Sequence, residues 1–181
     1  MVLIIKQCKL ARSREDGLTL IELMIAMVVL AVGILGSMAL VMTAIRGDFR
    51  SKQMSNSTAM TQMVTEKIMS VPANTSPTLT LADCTATNSN IATAAGGETL
   101  TSSGDIDYTA ATVANYNMLY TDCGTSGRQM VYDVRWNVQT LSAYSKLLTV
   151  SSRLKYVVVN GLAGSVYSPV VTIHTVVGLG T

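Results

Sequence analysis

The sequence is poor in the residues that enzyme sites and metal sites usually need. It has one histidine, His174, and three cysteines among 181 residues, and no cysteine has a Cys or His partner at the close spacing of a zinc site. It contains no glycine-rich phosphate loop, and its acidic residues form no pair that the sequence places together. We therefore predict no catalytic residue, no metal site and no cofactor, and we interpret His174 as an exposed strand residue.

Positive charge is scarce beyond the N-terminal segment. The whole chain has 13 Lys and Arg against 11 Asp and Glu, and residues 1–17 contribute four of the basic and two of the acidic side chains. From Leu18 onward the charges balance, with nine of each sign. A nucleic-acid-binding protein would show a basic patch or stripe, so we expect no nucleic-acid partner.

Proline is also rare, and the first of the three is Pro72. Residues 18–71 therefore contain nothing that must break a helix. The first half of this stretch, residues 18–45, is an apolar run in which Glu22 is the only charged residue. It exceeds the about 20 residues that cross a bilayer, and the basic segment before it favours a cytoplasmic N-terminus. We predict that this half of a long helix spans a membrane.

Glu22 is a functional candidate because a charge inside a membrane span is costly. The cost is about 2.5–3.5 kcal/mol at the helix centre and less near an end. The alternative is that Glu22 lies close enough to the cytoplasmic interface to reach water. An ordinary secretory signal has its small-residue cleavage site after the apolar run, whereas Gly17 precedes the run. Cleavage at Gly17 would keep the span on the mature protein.

The run Gly17-Leu18-Thr19-Leu20-Ile21-Glu22-Leu23, with a basic leader before it and an apolar helix after it, resembles the class III signal of type IV pilins and pseudopilins. The resemblance implies that residues 1–17 are a leader, which prepilin peptidase removes by cutting between Gly17 and Leu18. The same enzyme would methylate the new N-terminus at Leu18. Glu22 matches the acid of the motif, and we expect it to pair with the N-terminal amine of a neighbouring subunit during assembly. Leu18 differs from the family's commonest residue, phenylalanine.

The second half of the helix, residues 46–71, is predicted to be amphipathic. One stripe near helical spacing is apolar apart from polar gaps at Gln53 and Ser57, and its apolar members are Phe49, Met60, Val64, Ile68 and Val71. Such a stripe is more often a packing face than a binding site, so we expect it to dock on a sheet. Pro72 is predicted to end the helix.

The cysteines predict a disulfide. Cys8 lies in the leader, which leaves Cys84 and Cys123 in the polar region beyond the membrane, where an oxidising compartment permits a bond. Closing a loop of about 40 residues would stabilise the fold by about 4 kcal/mol on the chain-entropy model. The alternative is two free thiols.

The remaining sequence divides by composition. Residues 73–127 are rich in Thr, Ser, Asn, Ala and Gly and are predicted to form a long connection, with short strands near 79–81 and 118–120. Residues 128–181 change to a period of two and form the predicted sheet. Its three strands are expected over 130–138, 148–156 and 166–177, the last with an edge position or irregular start at Pro169.

Consecutive strands joined by short loops imply an antiparallel sheet, one face of which would be covered by residues 46–71. The predicted fold class is therefore α+β: a long N-terminal α-helix, membrane-spanning in its first half and packed by its second half on an antiparallel β-sheet. This is also the pilin architecture that the resemblance implies.

The resemblance extends loosely to residues 31–36, 65–69 and 134–138, which look like minor pilins of the PilV type. It implies a subunit that primes or caps type IV pilus assembly, with prepilin peptidase and other minor and major pilins as partners. The subunit would sit in the bacterial inner membrane with its C-terminal domain in the periplasm, and after assembly in a pilus at the cell surface. Two alternatives stay open: a minor pseudopilin of a type II secretion system, and a membrane-tethered binding module.

Overall fold

The computed structural model of the chain describes residues 19–124, 127–165 and 168–178. The predicted processing residues Gly17 and Leu18 lie outside these ranges. Within them, one long N-terminal helix precedes a series of antiparallel strands, which confirms the α+β class. The chain divides into two compact units, residues 1–46 and 47–181.

The helix α1 spans Leu20–Met69 and contains residues of both units. The strands belong to the second unit and are, in chain order, β1 (Thr78–Ala82), β2 (Asn88–Ala92), β3 (Gly96–Gly97), β4 (Asn117–Cys123), β5 (Gln129–Ser142), β6 (Ser145–Val159), β7 (Leu162–Ser165) and β8 (Val171–Gly178).

Two long strands, β5 and β6, form the centre of the main sheet. They pair antiparallel from Gln129 opposite Val158 to Ser142 opposite Ser145, so a tight turn joins them. Strands β3 and β4 pair with β5 on its other side, while β7 and β8 pair with β6. Strands β1 and β2 form a separate two-stranded sheet. The predicted strands near 130–138 and 148–156 are the central parts of β5 and β6.

Residues 73–127 contain more regular structure than their composition predicts. Strands β1 and β4 include the two short strands expected there, but β2 and β3 were not predicted. Strand β4 pairs with β5 over its whole length, from Asn117 opposite Arg135 to Cys123 opposite Gln129. The region is therefore part of the sheet, because the free edge of β5 supplies hydrogen-bond partners that local composition does not reveal.

Strand β3 depends on a glycine at the point of closest approach to β5. A Cβ on Gly97 would lie 2.6 Å from the carbonyl oxygen of Trp136 and 2.8 Å from Cα of Asn137. Gly97 also has a φ of +123°, which side chains with a Cβ rarely adopt. The backbone after β3 is thereby held against the sheet, where the N–H of Glu98 donates to the carbonyl of Trp136 at 3.0 Å.

The core lies between the second half of α1 and one face of the main sheet. Trp136, Tyr132, Leu148 and Val150 are fully buried, and Val64 is the fully buried apolar residue of the helix. The even-numbered residues from Tyr132 to Val138 and from Leu148 to Leu154 face this core, as the alternation of the sequence predicts. A register shift after Leu154 then places Val157, and not the predicted Tyr156, in the core. A sheet buried on one face by a helix is the two-layer arrangement expected of this class.

The face of α1 that packs on the sheet is more polar than predicted. Its buried residues are Gln53, Ser57, Thr61, Val64, Thr65 and Ile68. Gln53 and Ser57, the polar gaps of the predicted stripe, are buried in this face, whereas Phe49 and Met60 are only half-buried. The predicted stripe does dock on the sheet, but polar residues contribute more of the contact than expected. Small side chains spaced four residues apart allow the helix to approach the sheet closely.

Three buried polar residues are hydrogen-bonded between the helix and the sheet. Ser152 Oγ donates to the carbonyl oxygen of Ser57 at 2.7 Å, and Thr61 Oγ1 lies 2.9 Å from Ser152 Oγ. All three residues are fully buried, so these bonds are formed away from water. Each is worth about 1 kcal/mol net, and leaving one unmade would cost about 1–3 kcal/mol. They fix the register of the helix on the sheet.

Helix α1 ends at Met69, three residues before the proline predicted to end it. Ser70 and Val71 continue as a loose turn, with the N–H of Val71 donating to the carbonyl of Ile68 at 3.2 Å. A residue that precedes proline is disfavoured in helical conformation, so the helix ends before Pro72.

Candidate functional site

The candidate site is the apolar segment of α1, which we define as Leu20–Ile45, together with the residue that begins the helix. Thr19 is that residue: its carbonyl oxygen accepts from the N–H of Leu23 at 3.1 Å, and its Oγ1 accepts from the N–H of Glu22 at 3.3 Å. A threonine N-cap followed three residues later by glutamate is the capping-box sequence. Thr19 was not among the predicted site residues, although the pattern Thr-x-x-Glu was present to be found.

Capping places Glu22 in the first turn of the helix. The N-terminal turn carries unpaired N–H groups and the positive end of the helix dipole, both of which favour a nearby carboxylate. The residues of the apolar segment carry no other charge, so this carboxylate is the single charged group between Leu20 and Ile45. It is available to an external cation.

The apolar segment is exposed on all sides within the described chain. Its large apolar side chains, from Leu20 to Ile45, are 48–78% exposed. The helix that contains it has a stretch with a mean hydropathy of 2.6, long and apolar enough to cross a membrane. Full burial of such a side chain is worth about 1.5–3 kcal/mol, so a segment of this length is stable only when lipid or other helices cover it.

The hydroxyl groups of the apolar segment are satisfied within the helix. Ser37 Oγ donates to the carbonyl oxygen of Gly33 or Ile34, at 3.0 and 2.9 Å, and Thr43 Oγ1 donates to that of Leu40 at 2.8 Å. An unsatisfied polar group in hydrocarbon costs several kcal/mol. These back-bonds let the segment enter an apolar environment without that cost.

In the second unit, Cys84 and Cys123 are joined by a disulfide. It connects the β1–β2 turn to the end of β4. The same turn is held by Asp83, whose Oδ1 accepts from the N–H groups of Thr85 and Thr87 at 2.9 and 3.0 Å. Burial opposes the charge of Asp83, but these hydrogen bonds outweigh it and lower the pKa of the carboxyl below its usual value.

A cluster of charged groups occupies the sheet face that α1 does not cover. Arg135 makes two hydrogen bonds with Asp133, Nε to Oδ1 at 3.0 Å and Nη2 to Oδ2 at 3.1 Å. Its Nη1 lies 3.7 Å from Oε2 of Glu98, and Arg153 reaches Asp133 Oδ2 at 3.4 Å. The Tyr108 ring stacks on both guanidinium groups, with centroid distances of 4.7 and 4.1 Å.

This cluster fastens the segment after β3 to the sheet. Glu98 Oε1 accepts from the N–H of Val113 at 2.9 Å, and Arg135 Nη1 donates to the carbonyl of Ala110 at 3.4 Å. Burial works against the charge of Arg135, yet its bonds with Asp133 raise its pKa. Burial also raises the pKa of Tyr108 far above its usual value. Since the polar groups are directed at one another, the arrangement serves packing rather than chemistry.

His174 lies on β8, and its side chain is 45% exposed, as predicted. Its Nδ1 is 3.1 Å from Thr149 Oγ1 and its Nε2 is 3.4 Å from Asp105 Oδ1. The Thr149 residue is only 2% exposed, so its hydroxyl is not open to a substrate in this arrangement. In the described ranges, no three His, Cys, Asp or Glu side chains are grouped so that they could hold a metal ion.

Comparison with known proteins finds a family match in the N-terminal segment. Residues 12–45 match the family model described as the prokaryotic N-terminal methylation motif. No curated protein matches, and no solved structure matches. The match covers Arg12 and Arg14 before Gly17, the start of α1 and the apolar segment, and leaves residues 46–181 outside it.

The motif indicates a precursor of the type IV pilin or pseudopilin kind. It implies processing by prepilin peptidase and assembly with other pilins. Subunits of that kind are structural proteins rather than enzymes. The exposed apolar segment is consistent with anchoring in a membrane before assembly.

Proposed function

We propose that the chain is a minor pilin, a structural subunit that primes or caps type IV pilus assembly after prepilin peptidase has cleaved it between Gly17 and Leu18. The observation that carries this proposal is the apolar segment, which is exposed on every side and lies inside the methylation-motif match. Such a helix has two stable environments, a bilayer and a bundle of like helices. A pilin uses both in turn.

Cleavage prepares the N-terminus for the second environment. It creates an α-amino group at Leu18, with a reference pKa of about 7.7–8.0, one residue before the Thr19 N-cap. The positive end of the helix dipole at Thr19 makes the burial of a neighbouring positive charge still less favourable. An isolated buried charge is costly, whereas a pair of opposite charges is tolerated.

Glu22 is the residue that can supply the opposite charge. In a bundle of parallel helices, the Glu22 carboxylate of one subunit would pair with the methylated Leu18 amine of the next. Because no other residue of the apolar segment is charged, only one axial offset between neighbours satisfies both groups. We infer that this pair sets the register of the subunit in the filament more than it adds stability.

Glu22→Ala tests the role of this carboxylate. The variant is expected to reach the membrane and to be cleaved, but to enter filaments much less than the native protein, because the neighbouring amine would be buried without a partner. Glu22→Asp is the matched control, since it keeps the charge and should keep part of the incorporation. Filament incorporation of Glu22→Ala at the native level would contradict the proposal.

The N-terminal mass of the protein tests the processing. A peptide that begins at methylated Leu18 is expected in sheared surface filaments, and its appearance in purified pili rather than in a secretion complex supports the pilus assignment. Protein that retains Met1 in membranes and is missing from filaments would instead favour a membrane-tethered binding module.

A further inference from the structure

The Cys84–Cys123 disulfide lies on the surface of the second unit. Both cysteines are exposed, and they are 39 positions apart in the chain. Cys84 belongs to the β1–β2 turn, and Cys123 is the last residue of β4. An external thiol or disulfide reacts with a cysteine only where it has access to it. At this site that access exists while the domain is folded.

Hydrogen bonds hold the two cysteines next to each other without help from the sulfur atoms. The N–H of Cys84 donates to the carbonyl oxygen of Thr121 at 3.4 Å, and the N–H of Thr121 donates to Asp83 Oδ2 at 3.3 Å. Cys123 is paired with Gln129 at the end of the β4–β5 ladder. We therefore expect the chain with reduced cysteines to place the β1–β2 turn against β4.

The β1–β2 sheet is also anchored at its other end. Ile91 of β2 is fully buried in the core, and Trp136 Nε1 donates to the carbonyl oxygen of Ala92 at 3.0 Å. The N–H of Ala92 donates to the carbonyl oxygen of Asn115 at 2.9 Å. Burial of apolar side chains is the main driving force of folding. The arrangement of β1, β2 and β4 therefore does not depend on the covalent bond.

The sulfur of Cys84 lies among hydrogen-bond acceptors. Its Sγ is 2.9 Å from the carbonyl oxygen of Thr121. After reduction, the Cys84 thiol can donate its proton to this oxygen, whereas a thiolate there would face the negative end of the carbonyl dipole. The carboxylate of Asp83, the preceding residue of the turn, adds a second negative group. These surroundings favour the protonated thiol at Cys84.

The sulfur of Cys123 has a hydrogen-bond donor beside it. Gln129 is opposite Cys123 in the ladder, and its Nε2 lies 4.0 Å from Cys123 Sγ. An amide N–H stabilises a thiolate more than a thiol, because the charged form is the stronger acceptor. The neighbouring Asp122 is directed to the opposite face of β4, where it accepts from Asn56 at 3.2 Å. Of the two cysteines, Cys123 is the one whose thiolate is stabilised.

We propose that the disulfide forms in the folded second unit and that Cys123 is the residue that reacts with the oxidant, an external disulfide R–S–S–R. The Cys123 thiolate attacks one sulfur of R–S–S–R, which forms a mixed disulfide and releases one RS⁻. Cys84 then loses its proton and attacks Cys123 Sγ, which forms the internal bond and releases the second RS⁻. Two electrons pass from the cysteines to the external disulfide, and their two protons pass through solvent to the two RS⁻ products.

The first test compares the two thiols in the reduced protein. The full chain is studied in detergent micelles, with Cys8→Ser to remove the third cysteine. A phosphine reduces the disulfide, and Trp136 emission reports whether the second unit stays folded, because this side chain is fully buried. A short pulse of iodoacetamide labels the thiols, and mass spectrometry measures the label at Cys84 and at Cys123.

Cys123 is expected to be labelled several-fold faster than Cys84 in the folded protein, and the two rates should converge in urea. Gln129→Leu should slow the labelling of Cys123, whereas Gln139→Leu, at an exposed position of the same strand, should not change it. Equal rates in the folded protein, or faster labelling of Cys84, would overturn the assignment of Cys123. Loss of the folded Trp136 emission on reduction would overturn formation of the bond in the folded unit.

The second test uses oxidised glutathione as the external disulfide. In the Cys8→Ser background, Cys84→Ser leaves Cys123 as the single thiol, and Cys123→Ser leaves Cys84. The glutathione adduct is expected to form several-fold faster on Cys123 than on Cys84, with Trp136 emission of the folded unit in both variants. Equal adduct rates would contradict the proposal. Unfolded emission in either variant would also contradict it, because the unit would then need the covalent bond to fold.

Discussion

Replacing Arg135 by methionine is expected to destabilise the second unit strongly. The side chain of Arg135 is 8% exposed, and its two acidic partners, Glu98 and Asp133, are 0% and 5% exposed. Methionine retains most of the volume but removes the charge, which leaves two buried carboxylates with too little positive charge. Breaking a buried ion pair in this way costs about 3–5 kcal/mol. The total stability of a domain is about 5–15 kcal/mol, so the loss is easy to measure.

Arg153→Met is the matched control for this prediction. Arg153 contacts the same carboxylate of Asp133 and the same ring of Tyr108, but its side chain is 35% exposed. Water screens its ion pair, and Asp133 keeps the two bonds from Arg135, so a cost of about 1 kcal/mol or less is expected. Comparing the two variants separates the effect of removing a buried charge from the effect of removing a partly exposed one.

Urea unfolding of the full chain in detergent micelles, followed by fluorescence, measures both variants. Trp136 is the only tryptophan and is fully buried, so its emission reports the core of the second unit. With a slope of about 1–3 kcal/mol per molar urea, Arg135→Met should unfold at a midpoint lower by about 1 M or more. Equal midpoints for Arg135→Met and Arg153→Met would refute the reasoning, because burial would then make no difference.

Three further predictions concern the second unit. Gly97→Ala should lower the free energy of unfolding by more than about 2 kcal/mol, because the new Cβ would lie 2.6 Å from the backbone of β5. Gly104 is the control: it has a φ of +87° but open space around it, so Gly104→Ala should lower that free energy by only about 1 kcal/mol in thermal unfolding. Removing the disulfide by replacing Cys84 and Cys123 with serine should cost about 4 kcal/mol in urea unfolding, and a reducing agent should then leave the variant unchanged. The lowered pKa of Asp83 stabilises the fold at pH values above the pKa of the unfolded chain, and this stabilisation is lost as the pH falls through the pKa of the folded protein. Asp83→Asn removes it, so the native protein should lose more stability than the variant when the pH is lowered.

The first half of α1 was predictable from sequence because its structure is local. Residues 20–45 are apolar or small apart from Glu22 and contain no proline, so they form a helix whatever surrounds them. The order of Gly17, Leu18 and Glu22 predicted the processing motif, and the match to residues 12–45 supports that part of the interpretation. The assignment to a minor pilin stays a prediction, because it depends on residues 46–181, for which the comparisons provide no relative.

The second half of α1 was predicted less well because its burial depends on distant residues. Gln53 and Ser57 look like interruptions of an apolar stripe, yet both are buried. Ser152, almost a hundred positions later in the chain, donates to the carbonyl oxygen of Ser57 and accepts from Thr61, so the sheet supplies partners for this part of the helix. The hydrophobic pattern of the helix does not reveal a hydrogen-bond partner that lies so far along the chain.

The sequence by itself therefore determined the helix, the membrane-compatible segment, the alternating strands β5 and β6 and the two cysteines available for pairing. These depend on periodicity, on the spacing of residues along the chain and on the count of one residue type. Only the tertiary structure decided that β3 and β4 join the sheet and that Arg135, Asp133 and Glu98 form one buried cluster. The physical reason is that hydrogen bonds and ion pairs between distant segments are chosen by geometry, and that geometry exists only once the chain has folded.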